Sequence, residues 1–386
     1  MIEIKNKAEC TGCHACYSKC PQSCIDMVED KEGFLYPNVD SEKCIQCGLC
    51  EKVCPILHKA ESLKVKKVYG AYNKNNKIRL QSSSGGIFSL ISQECVSNDG
   101  ICFGAIYDEN FNIVHKGIEK EEEIYKMRGS KYYQSIIGSS FKIAKEKLEK
   151  NKPVIFSGTP CQIAGLKSFL DKDYENLVCI DIACHGVPSS KVFKKYINES
   201  CKNNEIKNIN FRDKSISWDN YSIKINYKNN QDFVQLGKDN LYIQGFVNDY
   251  YLRPSCYECR FKGIDREGDV TLADFWGVDK IKPDLYDKKG ISLLLINSEK
   301  GLNLFNKIKN NIYYEDVNIY ESIKNNISMV ESPQKALRRD VFFKYIDKVT
   351  FSQAIELANI NSNINRMKVY LKFKMYNLKN RFIERD

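Results

Sequence analysis

Eight cysteines near the start of the sequence carry its strongest chemistry, standing as Cys10-Thr-Gly-Cys13-His-Ala-Cys16-Tyr-Ser-Lys-Cys20-Pro21 and again as Cys44-Ile-Gln-Cys47-Gly-Leu-Cys50-Glu-Lys-Val-Cys54-Pro55. Both runs read C-x2-C-x2-C-x3-C-P. Two-residue spacings let three thiolates of one turning loop reach three irons of a cubane, while the fourth cysteine points away and ligates the other cluster. The pattern therefore assigns one [4Fe-4S] cluster to Cys10, Cys13, Cys16 and Cys54, and a second to Cys44, Cys47, Cys50 and Cys20. Zinc knuckles also use C-x2-C pairs, but a four-ligand zinc site gives no reason for the third evenly spaced cysteine or the trailing proline. Cys24 lies outside this count and reads as a structural thiol beside the cluster shell.

Cys161, Cys184, Cys256 and Cys259 form a possible third site. Two of them follow apolar runs that read as buried strands, and two form a C-x2-C pair. Iron–sulfur and zinc both fit four thiolates, and four unrelated buried thiols are the plain alternative. His185, next to Cys184, has a side chain suited to proton transfer near neutrality, or to a hydrogen bond with the cluster shell or a backbone carbonyl. Ser82, Ser83 and Ser84 precede Gly85 and Gly86 at an expected helix start, where backbone N–H groups and hydroxyls can hold a phosphate. Arg212, Asp213 and Lys214 offer an anion site or a strand cap.

The elements that must position these groups follow from periodicity. Ile25–Pro37 reads as two short strands around a polar turn between the cysteine runs. A polar linker over 58–67 leads to strands at 68–72 and 100–107, a helix at 141–150, and the apolar runs Pro153–Phe156 and Leu177–Ile182 typical of parallel strands. Their repeated strand–loop–helix order predicts an α/β core with ligand groups at the carboxyl ends of the strands. Further strands are expected over 209–235, 268–274 and 291–296, with mainly helix thereafter.

A chain of 386 residues can bury a substantial core in at least one of two or three domains. It has 42% hydrophobic and 28% charged residues, no apolar signal region before the first cysteine run, and no apolar run of about eighteen residues. Seventeen cysteines without an export signal argue for metal ligation in a reducing cytoplasm. The net charge of +10 is weighted toward the end, where residues 367–381 hold five basic residues and no acidic one. That tail suits an acidic ferredoxin or flavodoxin as redox partner, or is a solvated helix. A nucleic-acid role would rest on charge alone, with no recognition motif, and is excluded.

Six motifs give a resemblance. In order they are Gln-Ser-Ser-Ser-Gly-Gly, Gly-Ser-Lys-Tyr-Tyr-Gln-Ser, Ser-Gly-Thr-Pro-Cys-Gln-Ile-Ala-Gly-Leu, Ala-Cys-His-Gly-Val-Pro-Ser, Cys-Tyr-Glu-Cys-Arg-Phe-Lys-Gly and Asp-Val-Thr-Leu-Ala-Asp-Phe-Trp-Gly. The set resembles the family of beta subunits of coenzyme F-420 hydrogenases and dehydrogenases, here behind an N-terminal two-cluster ferredoxin domain. Bacterial members encoded near surface-polysaccharide genes are the nearest in kind. The resemblance implies a flavin-binding α/β domain with a mixed sheet, preceded by a small α+β bacterial-type ferredoxin domain and followed by a helical tail. The resemblance covers about residues 1–345, and the sequence as read divides into domains at 1–57, 68–345 and 346–386, with 58–67 as linker. The resemblance also implies a third [4Fe-4S] cluster on Cys161, Cys184, Cys256 and Cys259. FAD contacts are implied from Ser83, Ser84, Gly85 and Gly86; from Lys131, Tyr132, Gln134 and Ser135; from Ser157, Gly158 and Thr159; and from Asp274, Phe275, Trp276 and Gly277.

The expected function is that of an iron–sulfur flavoprotein oxidoreductase passing electrons between ferredoxin-type clusters and FAD, with a small molecule, such as a sugar or glycan precursor, as substrate. His185 is the candidate catalytic residue. Alternatives are an electron-transfer component of a larger redox complex, with the deazaflavin as a possible reactant, and an iron–sulfur redox sensor. An oligomer fits any of these.

Overall fold

The computed structural model describes residues 1–201, 204–361 and 363–383. The N-terminal unit is built on an antiparallel hairpin, β1 (Ile25–Glu29) and β2 (Leu35–Val39), flanked by two short helices, Ala15–Lys19 and Leu49–Lys52. Each helix starts on a residue in the left-handed region, His14 (φ 65°) and Gly48 (φ 73°). Those turns bring the cysteine loops round to face one another. Ile2, Cys16, Cys24, Ile25 and Cys50 form the small core between them.

The main unit is an eight-stranded mixed sheet. Its strands are β3 (Lys67–Asn73), β4 (Ile101–Tyr107), β5 (Ile113–Ile118), β6 (Val154–Gly158) and β7 (Leu177–Ile182), and, after an insertion of three strands, three more. The insertion comprises β8 (Ile206–Asp213), β9 (Ser222–Tyr227) and β10 (Asp232–Leu236), an antiparallel sheet of its own. The chain then returns with β11 (Val270–Asp274), β12 (Ser292–Ile296) and β13 (Ile312–Asp316). The order across the large sheet is β13-β3-β12-β11-β7-β6-β4-β5. Its centre, β11-β7-β6-β4, is parallel, and the flanking pairs are antiparallel. β6 and β12 are buried at every position, as expected of strands covered on both faces.

Three expectations change. β5 lacks a clean period-two pattern and was not anticipated. β13 interrupts the stretch expected to be helical, because Tyr313 and Tyr314 pair it with β3 at the sheet edge. The expected tail from 346 begins inside a packed core. Ile346, Val349, Phe351, Ala354, Ile355, Leu357 and Ala358 are all buried against Phe193, Tyr242 and Tyr251. Only the helix Asn363–Ile383 extends beyond it, and part of the basic stretch 367–381 lies outside the residues whose side chains are described.

The ferredoxin-like unit is locked onto the main unit. The Arg339 guanidinium, 5% exposed, donates to both carboxylate oxygens of Glu32 at 3.0 and 2.6 Å. Ser190 Oγ donates to the Gly33 carbonyl at 2.9 Å, and Lys191 Nζ to the Lys31 carbonyl at 2.9 Å. Gly33 has φ +88°, and a Cβ there would sit 2.5 Å from Lys191 Cβ, so the hairpin turn docks only as glycine.

Candidate redox site

The two cysteine runs edge two cavities. Cys10, Cys13, Cys16 and Cys54 line one, and Cys20, Cys44, Cys47 and Cys50 line the other. Cys24 is buried in the wall of the second, its sulfur 3.4 Å from that of Cys20. The chain crosses between the cavities twice, along the helix from Cys16 toward Cys20 and from Cys50 to Cys54. The first cavity is deep: burial pushes the Cys13 thiol up to about 12. The second reaches the surface, where Cys47 and Ile45 are exposed.

A third cavity is lined by Cys161, Cys184, Cys256 and Cys259. The positions follow from local structure. Thr159 and Gln162 form a reciprocal capping box that opens the helix Pro160–Leu170 and sets Cys161 in its first turn. Cys184 follows β7, and a one-turn 3-10 helix over Pro254–Cys256 delivers the C-x2-C pair. Lys262, just beyond that pair, donates to the carbonyls of Cys184 and His185 and to that of Ser328. Burial, then repulsion among these thiols, pushes Cys184 up to about 11 and Cys256 up to about 12. Thiols so placed are stable as thiolates only with a cation at their centre. Among the described residues no group of three or more His, Cys, Asp or Glu side chains converges closely enough to hold a single metal ion. Four cysteines edging one cavity are the donor set of a tetrahedral zinc or of an iron–sulfur cubane.

A larger cavity of about 420 Å³ opens at the carboxyl ends of the parallel strands. That is the size and place expected of a small-molecule or cofactor site. The serine–glycine turn, with Ser83, Ser84 and Gly86, lines it ahead of the helix Ile87–Ser97. Lys131, Tyr132 and Ser135 line it from the loop after Met127, Ser157, Gly158 and Thr159 from the end of β6, and Asp274 and Trp276 from the end of β11. His185 lines it from the loop after β7.

Four expected contacts are turned elsewhere. Gly85 faces the sheet, its N–H donating to Ser292 Oγ at 3.0 Å. Phe275 is fully buried with Leu293 and Leu285 in the core beneath. Gly277 caps the next short helix and packs on Asn325. Gln134 spans to the ferredoxin-like unit, donating to the Thr11 carbonyl at 2.7 Å. Lys131 is in the wall, but its ammonium donates to the carbonyls of Met127, Arg128 and Gly129 at 3.1–3.3 Å. It holds its own loop closed. Burial lowers its pKa to about 7.

Further residues line the cavity, of which His115 was not anticipated. Arg128 bonds Gln81 Oε1 at 2.8 Å and Ser89 Oγ at 3.0 Å, placing a guanidinium beside the serine–glycine turn. His115 on β5 donates from Nε2 to the Ser157 carbonyl at 2.9 Å; its Nδ1 has no partner among the described residues, and burial lowers its pKa to about 4. Of the Arg212-Asp213-Lys214 trio, Arg212 reaches the wall. It pairs with Asp274 at 3.1 Å and lies over the rings of Tyr221 (4.2 Å) and Trp276 (4.9 Å). Trp276 is stacked on Trp218 at 4.7 Å. Lys214 instead donates to the carbonyls of Arg79, Ser84 and Lys289 at 2.6–3.0 Å and fixes the serine–glycine turn from behind. His185 is oriented by Asp249, with Nε2 2.6 Å from Oδ1.

The cavities adjoin. Thr11 borders the first and third, and Cys184, His185, Gly186 and Val187 border the third and the large one.

Residues 151–322 match the family described as the C terminus of the coenzyme F420 hydrogenase/dehydrogenase beta subunit, and residues 9–56 match the 4Fe-4S dicluster domain. Over those residues the chain is similar to the C-terminal domain of that family and, at its start, to a two-cluster iron–sulfur domain. Among characterised relatives, it is 24% identical over 338 residues to the coenzyme F420-dependent sulfite reductase of Methanocaldococcus jannaschii, covering 84% of this chain and 50% of that protein. It is 25% identical over 232 residues to one subunit of the F(420)H(2) dehydrogenase of Methanosarcina mazei, covering 55% of this chain and 62% of that one. The chain thus spans less than two thirds of the length of either relative. A chain of the F420-reducing [NiFe] hydrogenase complex from Methanosarcina barkeri superposes with a TM-score of 0.46 at 15% identity, over 69% of this chain and 91% of that chain. Among the described residues no helix is long and apolar enough to cross a membrane.

Proposed function

We propose that the chain is an iron–sulfur flavoprotein oxidoreductase in which single electrons cross a row of three [4Fe-4S] centres to FAD in the large cavity, where a small-molecule substrate is reduced or oxidised. The observation that carries this reading is the shared wall at Cys184, which borders both the third four-cysteine cavity and the large one. When bound, the clusters supply one-electron steps and the flavin joins them to two-electron chemistry.

The chain's own groups have separable tasks. The twelve cysteines of the three sets hold the clusters. The serine–glycine turn, held from behind by Lys214, and Arg128 beside it suit the pyrophosphate at the start of the helix Ile87–Ser97. Trp276, backed by Trp218, suits the wall against an aromatic ring system. His185, oriented by Asp249, is the group placed to exchange a proton with substrate at the Cys184 end of the cavity. The one-electron partner, an acidic ferredoxin or flavodoxin, would meet the protein at the exposed Cys47 and Ile45.

A second reading has one observation in its favour. The relatives include one component of a dehydrogenase, and the chain spans only 62% of its length. On that reading the large cavity trades electrons with a deazaflavin or another chain, and this protein is one module of a complex. Anaerobic purification followed by iron, sulfide and flavin counting tests both. About twelve irons, the sum of three four-iron clusters, with one FAD per chain are expected, and reduced ferredoxin should bleach the flavin. Clusters without flavin would overturn the enzyme reading and leave the electron carrier or sensor.

A further inference from the structure

Arg253 is wholly buried, yet no carboxylate among the described residues pairs with it. Its Nε donates to the Cys10 carbonyl at 2.7 Å and its Nη1 to Gln134 Oε1 at 2.9 Å. Its Nη2 donates to the Leu35 carbonyl at 2.9 Å and points at Cys10 Sγ, 3.6 Å away. The ring of Tyr36 lies 4.3 Å from the guanidinium carbon. Every partner is neutral, and only Cys10, once a thiolate, would carry a negative charge. A guanidinium does not deprotonate, so its charge stays, and leaving it buried without a counter-charge is strongly unfavourable.

The position supplies the answer. Arg253 borders the third cavity, where its charge is also felt by Cys256, and it touches Cys10 of the first. A cubane held by four thiolates is net anionic, and more so when reduced. We propose that Arg253 is the shared counter-ion of the iron–sulfur centres on the Cys10 and Cys161 sets, a positioning residue that raises the reduction potential of both and fixes the path between them.

This rests on the cluster assignment proposed above. In the step concerned, one electron leaves the reduced centre on the Cys10 set and enters the oxidised centre on the Cys161 set. No bond breaks and no proton moves. The electron is supplied by a one-electron carrier of the ferredoxin class. The effect should be larger on the first centre, whose cysteine sulfur and carbonyl both face the guanidinium.

The test uses the full chain, purified anaerobically, with iron counted before EPR-monitored redox titration. Arg253→Gln removes the charge, and Arg253→Lys keeps it while losing the planar set of hydrogen bonds. Gln134→Glu leaves the arginine and places a carboxylate where Nη1 now donates, so the proposal stands or falls on it if Arg253→Gln does not fold. With about twelve irons retained, Arg253→Gln and Gln134→Glu should each weaken reduction of the first centre about tenfold, a fall of about 59 mV for a one-electron couple. Arg253→Lys should keep most of the potential. Unmoved potentials at full iron content would overturn the counter-ion. A wild-type count of about eight irons would instead overturn the third centre, and the shared role with it.

Discussion

Gly165 and Cys13 stand in direct contact across the joint between the two units: a Cβ on that glycine would lie 2.9 Å from Cys13 Cβ and 3.0 Å from its sulfur. Gly165 is on the helix that Cys161 opens, so the wall of the third cavity and a ligand loop of the first pack backbone to side chain. Nothing thicker than a glycine fits between them. Gly165→Val should cost about 1–3 kcal/mol through overpacking and slow reduction of the inner centre. Anaerobic thermal unfolding and stopped-flow reduction by ferredoxin check the two effects.

Cys184 separates the third cavity from the others genetically. Cys184→Ser should lower the iron count from about twelve to about eight and leave the ferredoxin-type EPR signals in place. Flavin should remain bound but be reduced far more slowly by one-electron donors. Iron analysis and rapid-mixing absorbance on one preparation read all three.

The Glu32–Arg339 pair ties the hairpin turn to the main unit with little solvent access. Removing one partner leaves a charge stranded, so Arg339→Met or Glu32→Gln alone should each cost about 3 kcal/mol. The double variant should recover much of that loss, because no charge is left unpaired. A thermal double-mutant cycle measures the coupling.

Lys214 gives a pH signature. Burial lowers its pKa to about 7 from 10.5. The unfolded chain therefore binds more protons than the folded one between these values, and stability linked to this group rises with pH across that window. It is fully present above about 10.5 and is lost as pH falls through about 7. Against Lys214→Met, the wild type should gain in relative stability from pH 7 to 10. A difference that is flat with pH would show that Lys214 stays charged in the fold.

The grouping of the N-terminal cysteines around two cavities was the most legible feature of the sequence, because chain spacing decides which thiols one loop can turn to the same side. The serine–glycine turn and the strand ends were legible for a related reason: ligands collect at the carboxyl ends of parallel strands. Within those segments, single residues were not. Asp274, Phe275 and Trp276 are adjacent in sequence, yet Phe275 turns into the core while its neighbours face the cavity. Gln134 sits between Tyr133 and Ser135 and reaches out to Thr11 instead. Which way such a residue turns depends on what packs behind it. Arg212 and His115 enter the wall from distant strands, and only tertiary structure brings them there. The helix Phe351–Asn359 lies where helix was expected, but its burial was not legible, because its apolar face meets its partners Phe193, Tyr242 and Tyr251 only in the tertiary structure.

The stacked pair at the cavity wall has a practical consequence. Trp218 and Trp276 are the only two tryptophans in the sequence, and they lie ring on ring, with 5° between their planes. All tryptophan emission from this protein therefore originates beside the large cavity. The molecule carries its own optical gauge: a chromophore that enters this cavity should change the emission of both rings together.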